Sequence, residues 1–279
     1  MRPHSVRWSE GDLAFVGNAA KQTDPFDLAI AASGAATIQW MKQHGMPPSG
    51  KQVTIHVAMA TQTSDGGLAF VEAIPEAGVV ITPANDFFHR EPPGTMFYKG
   101  GVQVAADSAG RAGRAAPAAG GFEEASRSYD GRGVARATAP RAGKVTGATL
   151  HAAGISTTLT LAPPPPPTVH AKAVAAARSK VGSAYADEFQ TPSSGRFYCS
   201  SLIEWAYAKA AGRERFFINQ TFTMLFIPIA FWQQYYAEAN LTIPINATGS
   251  NPTLLLHSPL VRFSRLNSTT LGLTAQRKV

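Results

Sequence analysis

A stretch of low complexity in the middle of the chain constrains the fold more than any other feature of the sequence. Alanine, glycine, arginine and serine dominate residues 101–168, which end in five prolines at 163–167. Large apolar residues are too sparse there to build a core, so we predict a mostly disordered insertion with a polyproline spacer. The fold must therefore be built from residues 1–100 and 169–279.

Length and composition fit one domain with a large insertion, because the chain has 279 residues and is 44% hydrophobic. The insertion supplies +3 of the net charge of +7, so the rest is only mildly basic. This balance argues against a dedicated nucleic-acid surface. A single cysteine excludes paired cysteine ligands, and we expect neither a metal nor a cofactor. We see no signal peptide and no membrane span, and we predict a cytoplasmic protein.

Hydrophobic periodicity predicts ordered elements on both sides of the insertion. Before it we expect a helix over 27–44 and strands over 12–16, 52–60, 68–74 and 79–82. After it we expect a helix over 169–182, a second helix from Cys199 to Gly212, and strand-like runs over 241–245 and 253–256. The run 156–161 is a candidate isolated strand within the insertion.

Cys199 is the one cysteine of the chain and lies in the first turn of a predicted helix. Free backbone N–H groups and the positive end of the helix dipole favour a thiolate at such a position. It has no partner for an internal disulfide. The alternative is a small buried apolar residue, which describes most free cysteines.

His56 is the one histidine in the middle of a strongly alternating strand, where Ile55 and Val57 are predicted on the opposite face. Residues that pair across a hairpin have indices with a constant sum, so a connection centred on residue 64 sets His56 opposite Glu72, with Cβ atoms about 5 Å apart. A tight turn at 65–66 would instead set His56 against Pro75. Taken singly, His56 and Glu72 are each better explained as exposed residues on a half-buried strand.

Several short blocks together resemble the NlpC-type papain-like hydrolases. The nucleophile block is Gly-Ser-Ala-Tyr-Ala-Asp-Glu-Phe at 182–189 followed by Phe-Tyr-Cys-Ser-Ser-Leu-Ile at 197–203. Residues 11–16 resemble the Gly-Asp-Leu strand of that superfamily, 56–59 its histidine strand, and 71–74 the strand with the third polar residue. The cysteine block comes last here, which resembles the circularly permuted branch of YiiX-like amidases and lecithin–retinol acyltransferase-like proteins.

The resemblance implies an α+β fold, a permuted papain-like arrangement in which an antiparallel sheet packs on the helix bearing the nucleophile. It implies that Cys199 is the nucleophile, His56 the general base and then acid, and Glu72 the group that orients the imidazole. Tyr185 matches a tyrosine that borders the substrate cleft, or else it is a loop aromatic that caps the core. Two departures are the low-complexity insertion and Ser201, where ordinary members often have glycine.

These features predict a cysteine hydrolase that cleaves an amide or isopeptide bond of a small peptide or N-acyl substrate. A lipid acyltransferase or thioesterase of the same fold stays open, because the aromatic residues of 216–236 either line an acyl pocket or, as we favour, form core. The third alternative is a catalytically silent module that recruits partner proteins through the cleft and the proline-rich stretch. The sequence does not distinguish water from another acyl acceptor.

Overall fold

An antiparallel sheet organises the part of the chain that the computed structural model describes, which is residues 6–18, 22–104, 167–189 and 195–266. Within these ranges the strands are β1 Leu13–Gly17, β2 Thr54–Gln62, β3 Leu68–Ile74, β4 Gly78–Pro83, β5 Phe97–Val102 and β6 Val261–Leu266. They form one six-stranded sheet with the spatial order β4-β3-β2-β1-β5-β6. The predicted α+β class is thereby confirmed, whereas the permuted papain-like packing stays a prediction.

Helices connect and cover the strands. Over the same described ranges they are α1 Pro25–Gln43, α2 Ala84–His89, α3 Val169–Arg178, α4 Cys199–Ala211, α5 Ile229–Glu238 and α6 Pro252–Leu256. None of these described helices combines the length and the apolar character needed to cross a bilayer.

The two faces of the sheet bury different sets of side chains. Helix α4 packs on one face, across β2 and β3, where the strands contribute Leu13, Phe15, Val57, Met59 and Val71. On the other face Phe87 and Phe88 of α2 pack with Ala58, Ala60 and Phe70. Since strand side chains alternate between faces, this double burial explains why β2 and β3 are apolar at nearly every position.

The alternation predicted for β2 is broken at one residue. Val16 of β1 pairs with His56, but Gly17 pairs with Thr54, so the register skips Ile55. Ile55 consequently packs on the α2 side of the sheet, contrary to the strict alternation expected from the sequence. An unpaired extra residue of this kind bends the strand and changes the direction of the adjacent side chains. The adjacent residue here is His56.

The helix predicted over 27–44 begins two residues earlier than its apolar pattern indicates, at Pro25. Asp24 is the N-cap, since its side chain accepts hydrogen bonds from the backbone N–H groups of Phe26 and Asp27. Pro25 occupies the first helical position, where its missing N–H and fixed φ are tolerated. The cap and the proline therefore set the start of the helix.

The strands predicted over 241–245 and 253–256 are not found in the structure. Residues 253–256 belong to helix α6, because Asn251 caps its first turn by accepting from Leu254 N–H and Pro252 follows at the first position. Residues 241–245 form no strand, and Pro244 there has no N–H to give to a strand ladder. Strands β5 and β6, and helices α2 and α5, were not anticipated from periodicity.

The predicted insertion falls almost wholly outside the described residues. Gly101 and Val102 belong to β5, and the side chain of Thr168 caps α3 by accepting from Ala171 N–H. The candidate strand at 156–161 lies outside the described residues. The flanks of the insertion belong to one compact unit.

We expect Gly78→Ala to destabilise the protein far more than Gly66→Ala. Both glycines have positive φ, at 70° and 84°, and alanine costs about 1–2 kcal/mol there. A Cβ at Gly78 would also lie 2.1 Å from the carbonyl oxygen of Ser183, whereas Gly66 has no atom within 4 Å. Urea unfolding of both variants measures the difference in the free energy of unfolding. Equal losses in the two variants would contradict this close contact between β4 and the 182–184 loop.

Candidate active site

Cys199 is the first residue of α4, and local hydrogen bonds fix that start. Tyr198, in extended conformation, is the N-cap. The hydroxyl of Ser201 accepts from the Tyr198 N–H and donates to the Tyr198 carbonyl oxygen, each at 2.9 Å. Cys199 is buried, at 6% exposure. Ser201 therefore holds the helix terminus that carries the thiol.

His56 joins Cys199 to Glu72. Its Nε2 lies 2.6 Å from Glu72 Oε2, and the Cys199 side chain lies close enough to the same ring to contribute to the pKa of His56. A carboxylate can only accept, so Nε2 carries the proton on that side. The other ring nitrogen, Nδ1, is then the one left to exchange a proton with the thiol.

The hairpin that brings His56 to Glu72 has a different register from either one considered in the sequence analysis. Met59 pairs with Val71 and Gln62 with Leu68, so the connection is centred on residue 65. The regular pairing ends before His56, and neither Glu72 nor Pro75 lies directly opposite it. Glu72 is displaced by two positions, an even number, so it shares a face with His56 and contacts it diagonally.

Glu72 is a fully buried carboxylate, with a side-chain exposure of 0%. Besides His56 it accepts from Thr82 Oγ1 at 2.5 Å and from two guanidinium nitrogens of Arg90, each at 2.6 Å. Burial by itself raises the pKa of Glu72, but the hydrogen bonds and positive charges of His56 and Arg90 outweigh it and lower the pKa to about 2. Glu72 is therefore a permanent negative charge beside the imidazole.

The imidazole is held in its charged form. Burial alone would lower the pKa of His56, but its hydrogen bonds to Cys199 and Glu72 and their negative charges prevail and raise the pKa to about 10. Histidine ordinarily titrates near 6.5. His56 is therefore protonated at neutral pH, with the Cys199 side chain and the Glu72 carboxylate as its neighbours.

These groups open onto a cleft of about 320 Å³. Cys199, His56 and Arg90 line it together with the acidic Asp27 and Glu91. Burial first, then repulsion by Asp24 and Glu91, raises the pKa of Asp27 to about 6. The remaining walls are mainly apolar and include Phe26, Ile30, Phe189, Leu225, Phe226 and Trp232.

Tyr185 combines the two roles considered for it. It lines the cleft with Cys199, and it is a buried residue whose ring packs edge-on against Phe189. A bridge to Phe197 ties its backbone to the segment that leads into α4. Burial, and then the neighbouring Cys199, raise the pKa of Tyr185 well above its ordinary value, so its hydroxyl stays protonated.

Sequence reasoning missed three polar residues at the site, namely Arg90, Thr82 and Ser200. Arg90 follows α2 and Thr82 lies in β4, and no spacing relates either to Glu72. Ser200 is fully buried beside Cys199 and lines the cleft. Its hydroxyl has no hydrogen-bond partner among the described residues, and an unpaired buried hydroxyl is a signal that only coordinates can give.

Among the described residues no group of three or more histidine, cysteine, aspartate or glutamate side chains is arranged to hold a metal ion. A thiol and an imidazole line the cleft, and the carboxylate of Glu72 lies buried behind the imidazole; this combination of groups is compatible with covalent acyl transfer.

We expect the His56–Glu72 pair to stabilise the protein most between about pH 4.5 and 6.5. The pKa of Glu72 is lowered from 4.5 to about 2, so its contribution is complete above 4.5 and is lost as pH falls towards 2. The pKa of His56 is raised from 6.5 to about 10, so its contribution is complete below 6.5 and is lost as pH rises towards 10.

Urea unfolding over a pH series, wild type against Glu72→Gln, tests this window. Removing one partner of a buried charged pair costs about 3–5 kcal/mol, and the loss should be greatest inside the window and smaller on both sides. A loss that does not change with pH would contradict the assignment of these charges.

Comparison with known proteins gives one distant structural likeness. No model of a known protein family matches the chain, and no curated protein matches its sequence. The crystal structure of the metalloprotein YiiX from Escherichia coli O157:H7 matches it with a TM-score of 0.49 and 13% identity, covering 91% of this chain and 95% of that chain. A likeness this distant assigns neither family nor function, so the resemblance to the permuted papain-like branch stays a prediction.

Proposed function

We propose that the protein is a papain-like cysteine hydrolase that cleaves an amide or isopeptide bond of a small peptide or N-acyl substrate. The observation that carries the proposal is the position of His56, which shares the cleft with Cys199 and is hydrogen-bonded to the buried, ionised Glu72. An imidazole bridging a nucleophile and an orienting carboxylate is the arrangement that covalent hydrolases use.

The reaction follows from the protons that these groups carry. His56 takes the thiol proton, and the thiolate attacks the substrate carbonyl carbon, forming a C–S bond and a tetrahedral oxyanion. The oxyanion forms beside the N-terminus of α4, where the backbone N–H of Cys199 and the unpaired hydroxyl of Ser200 are the candidate donors. His56 then protonates the leaving amine, the C–N bond breaks, and a thioester remains on Cys199.

The same imidazole completes the cycle. Now neutral, His56 takes a proton from a water molecule that attacks the thioester, and returns it to the sulfur as the acid product departs. Glu72 keeps its charge throughout and holds the proton on Nε2, so that Nδ1 performs both transfers. An amine or alcohol in place of water would make the protein an acyltransferase.

We expect Cys199 to be alkylated by iodoacetamide well below the pH at which a free thiol reacts, because its partner is an imidazolium. His56→Ala should remove this acid reactivity and the labelling by thiol-directed acyl probes, and Cys199→Ala should remove all labelling. The matched control is His44→Ala, since His44 is exposed on α1 and contacts Trp40 rather than the site. An ordinary alkylation profile in folded wild type would refute the pair.

The same variants separate an enzyme from a silent binding module. If Cys199→Ala changes no measured activity, and the 101–168 segment alone accounts for all partner recruitment, the binding module is the better description. Full-rate acyl labelling that survives in His56→Ala would also break the proposed pair.

The walls of the cleft favour a second candidate, in which the acyl group is long and apolar. The aromatic residues of 216–236 are predicted to belong to the hydrophobic core, and Phe222 and Tyr236 are indeed buried. Met224, Leu225, Phe226 and Trp232 nevertheless line the cleft that contains Cys199. A lipid-type acyl chain would gain free energy from such walls, about 0.8 kcal/mol for each CH₂ that it buries.

Leu225→Asn should discriminate between the two candidates. Leu225 lines the cleft and is only partly buried, so the variant should fold. With a series of N-acyl substrates of increasing chain length, we expect a fall of about tenfold in kcat/KM for long chains and little change for acetyl, since about 1.4 kcal/mol corresponds to a factor of ten. An equal fall at every length would assign Leu225 no part in acyl-chain selection.

A further inference from the structure

We propose that Arg90 is a positioning residue of the candidate site, which acts through Glu72 to hold the imidazole in its productive tautomer. The inference rests on the proposed function only for its consequence at Cys199; the contact between Arg90 and Glu72 is independent of it. Arg90 touches no reacting atom in this assignment.

The contact between Arg90 and Glu72 is a bidentate ion pair. The two terminal guanidinium nitrogens of Arg90 each lie 2.6 Å from a different oxygen of Glu72. This bidentate arrangement fixes the plane and the rotation of the carboxyl group as well as its charge. Since Glu72 Oε2 also accepts from His56 Nε2, fixing the carboxylate fixes where the imidazole proton points.

Arg90 is itself held in place from three directions. Its backbone N–H donates to Asp86 at the end of α2, which sets the direction of its side chain. Its Nε lies 3.2 Å from Glu91 Oε1, and its guanidinium lies 4.9 Å from the ring centre of Phe87. Phe87 also packs near the imidazole of His56. Helix α2 and the residue that follows it therefore position the Arg90 guanidinium against the Glu72 carboxylate.

The charge balance around Glu72 explains why this cation matters. A fully buried carboxylate without compensation is costly and takes up a proton instead. The described groups that face it are His56 from β2, Thr82 from β4 and Arg90 from the end of α2. Thr82 is neutral, and His56 gives up its charge in the catalytic cycle. Arg90 is therefore the permanent cation that keeps Glu72 ionised when His56 is neutral.

No other described ionisable group near His56 and Glu72 supplies the positive charge that Arg90 supplies. Glu91 faces the guanidinium and Asp27 faces His56 across the cleft, and both are acidic. Cys199 faces the imidazole from α4 and supplies no positive charge. Without Arg90, the site would hold an excess of negative charge, which raises the pKa of every carboxyl group in it.

Arg90→Ala and Arg90→Lys in the full chain test the proposal, with Arg178→Ala as the matched control. Arg178 is an exposed arginine, which hydrogen-bonds to Thr61 and Gln62 at the end of β2 and has no hydrogen bond to Glu72. The first measurement is the ¹³C NMR titration of the Glu72 carboxyl, assigned by its absence in Glu72→Gln. The second is the pH profile of the reaction of Cys199 with dipyridyl disulfide, a thiol reagent active in acid.

We expect Arg90→Ala to raise the pKa of Glu72 by about one to three units and to move the acid limb of the Cys199 profile in the same direction. Free guanidinium at millimolar concentration should fill the vacated space and move both back. Arg90→Lys should give a smaller shift, because an ammonium lacks the fork, and Arg178→Ala should leave both measurements as in wild type.

A folded Arg90→Ala protein with the Glu72 titration and Cys199 profile of wild type would overturn the proposal. If Arg90→Ala does not fold, Arg90→Lys decides, since it keeps the charge and removes only the bidentate geometry; an unchanged Glu72 titration there overturns the proposal. If wild-type Cys199 shows no acid reactivity, the proposed function fails, while the Glu72 titration still decides whether Arg90 holds the carboxylate.

Discussion

A buried negative charge at Glu72 is the interaction on which the rest of the site depends. A carboxylate with no exposure is stable only where hydrogen bonds and positive charges replace the water that it has lost. The fold supplies these from three separate elements, with His56 on β2, Thr82 on β4 and Arg90 after α2. All three pair with the same carboxylate, so the loss of Glu72 would leave every one of them without this partner. This shared dependence makes the orientation of the imidazole a property of the whole hairpin.

The sheet brings the reacting groups together although they are remote in sequence. Strands β2, β3 and β4 are consecutive and adjacent, so His56, Glu72 and Thr82 converge through short connections. The proposed nucleophile, Cys199, lies beyond the insertion, and backbone hydrogen bonds join the 182–183 segment that precedes it to β4. Val79 N–H donates to the Ser183 carbonyl oxygen and Gly182 N–H to the Val79 carbonyl oxygen. Cys199 and His56 consequently line the same cleft. His56 lies next to the unpaired Ile55, where the pairing register of β1 and β2 changes.

Local pattern in the sequence is sufficient for the strands of the hairpin, for α1 and for the start of α4, because each carries its own periodicity or helix cap. It also identifies His56, Glu72 and Cys199 as the residues to examine. It does not give the register, because a change of one residue in the connection alters every pairing while the apolar pattern fits equally well. It does not give Arg90, since a six-residue helix has too few positions for a period. Asn251 and Pro252 show the converse case, where two residues that favour a helix start override an apolar run that resembles a strand.

The two flanks of the insertion contribute different properties to the cleft. His56 and Arg90 come from the residues before the insertion, whereas Phe189, Leu225 and Trp232 come from those after it. Apolar walls lower the local dielectric response and strengthen the attraction between an imidazolium and a thiolate. They also raise the cost of any charge that is left unpaired. The residues that would receive the substrate therefore also increase the dependence of the site on the Arg90–Glu72 contact, and neither set of residues functions in isolation from the other.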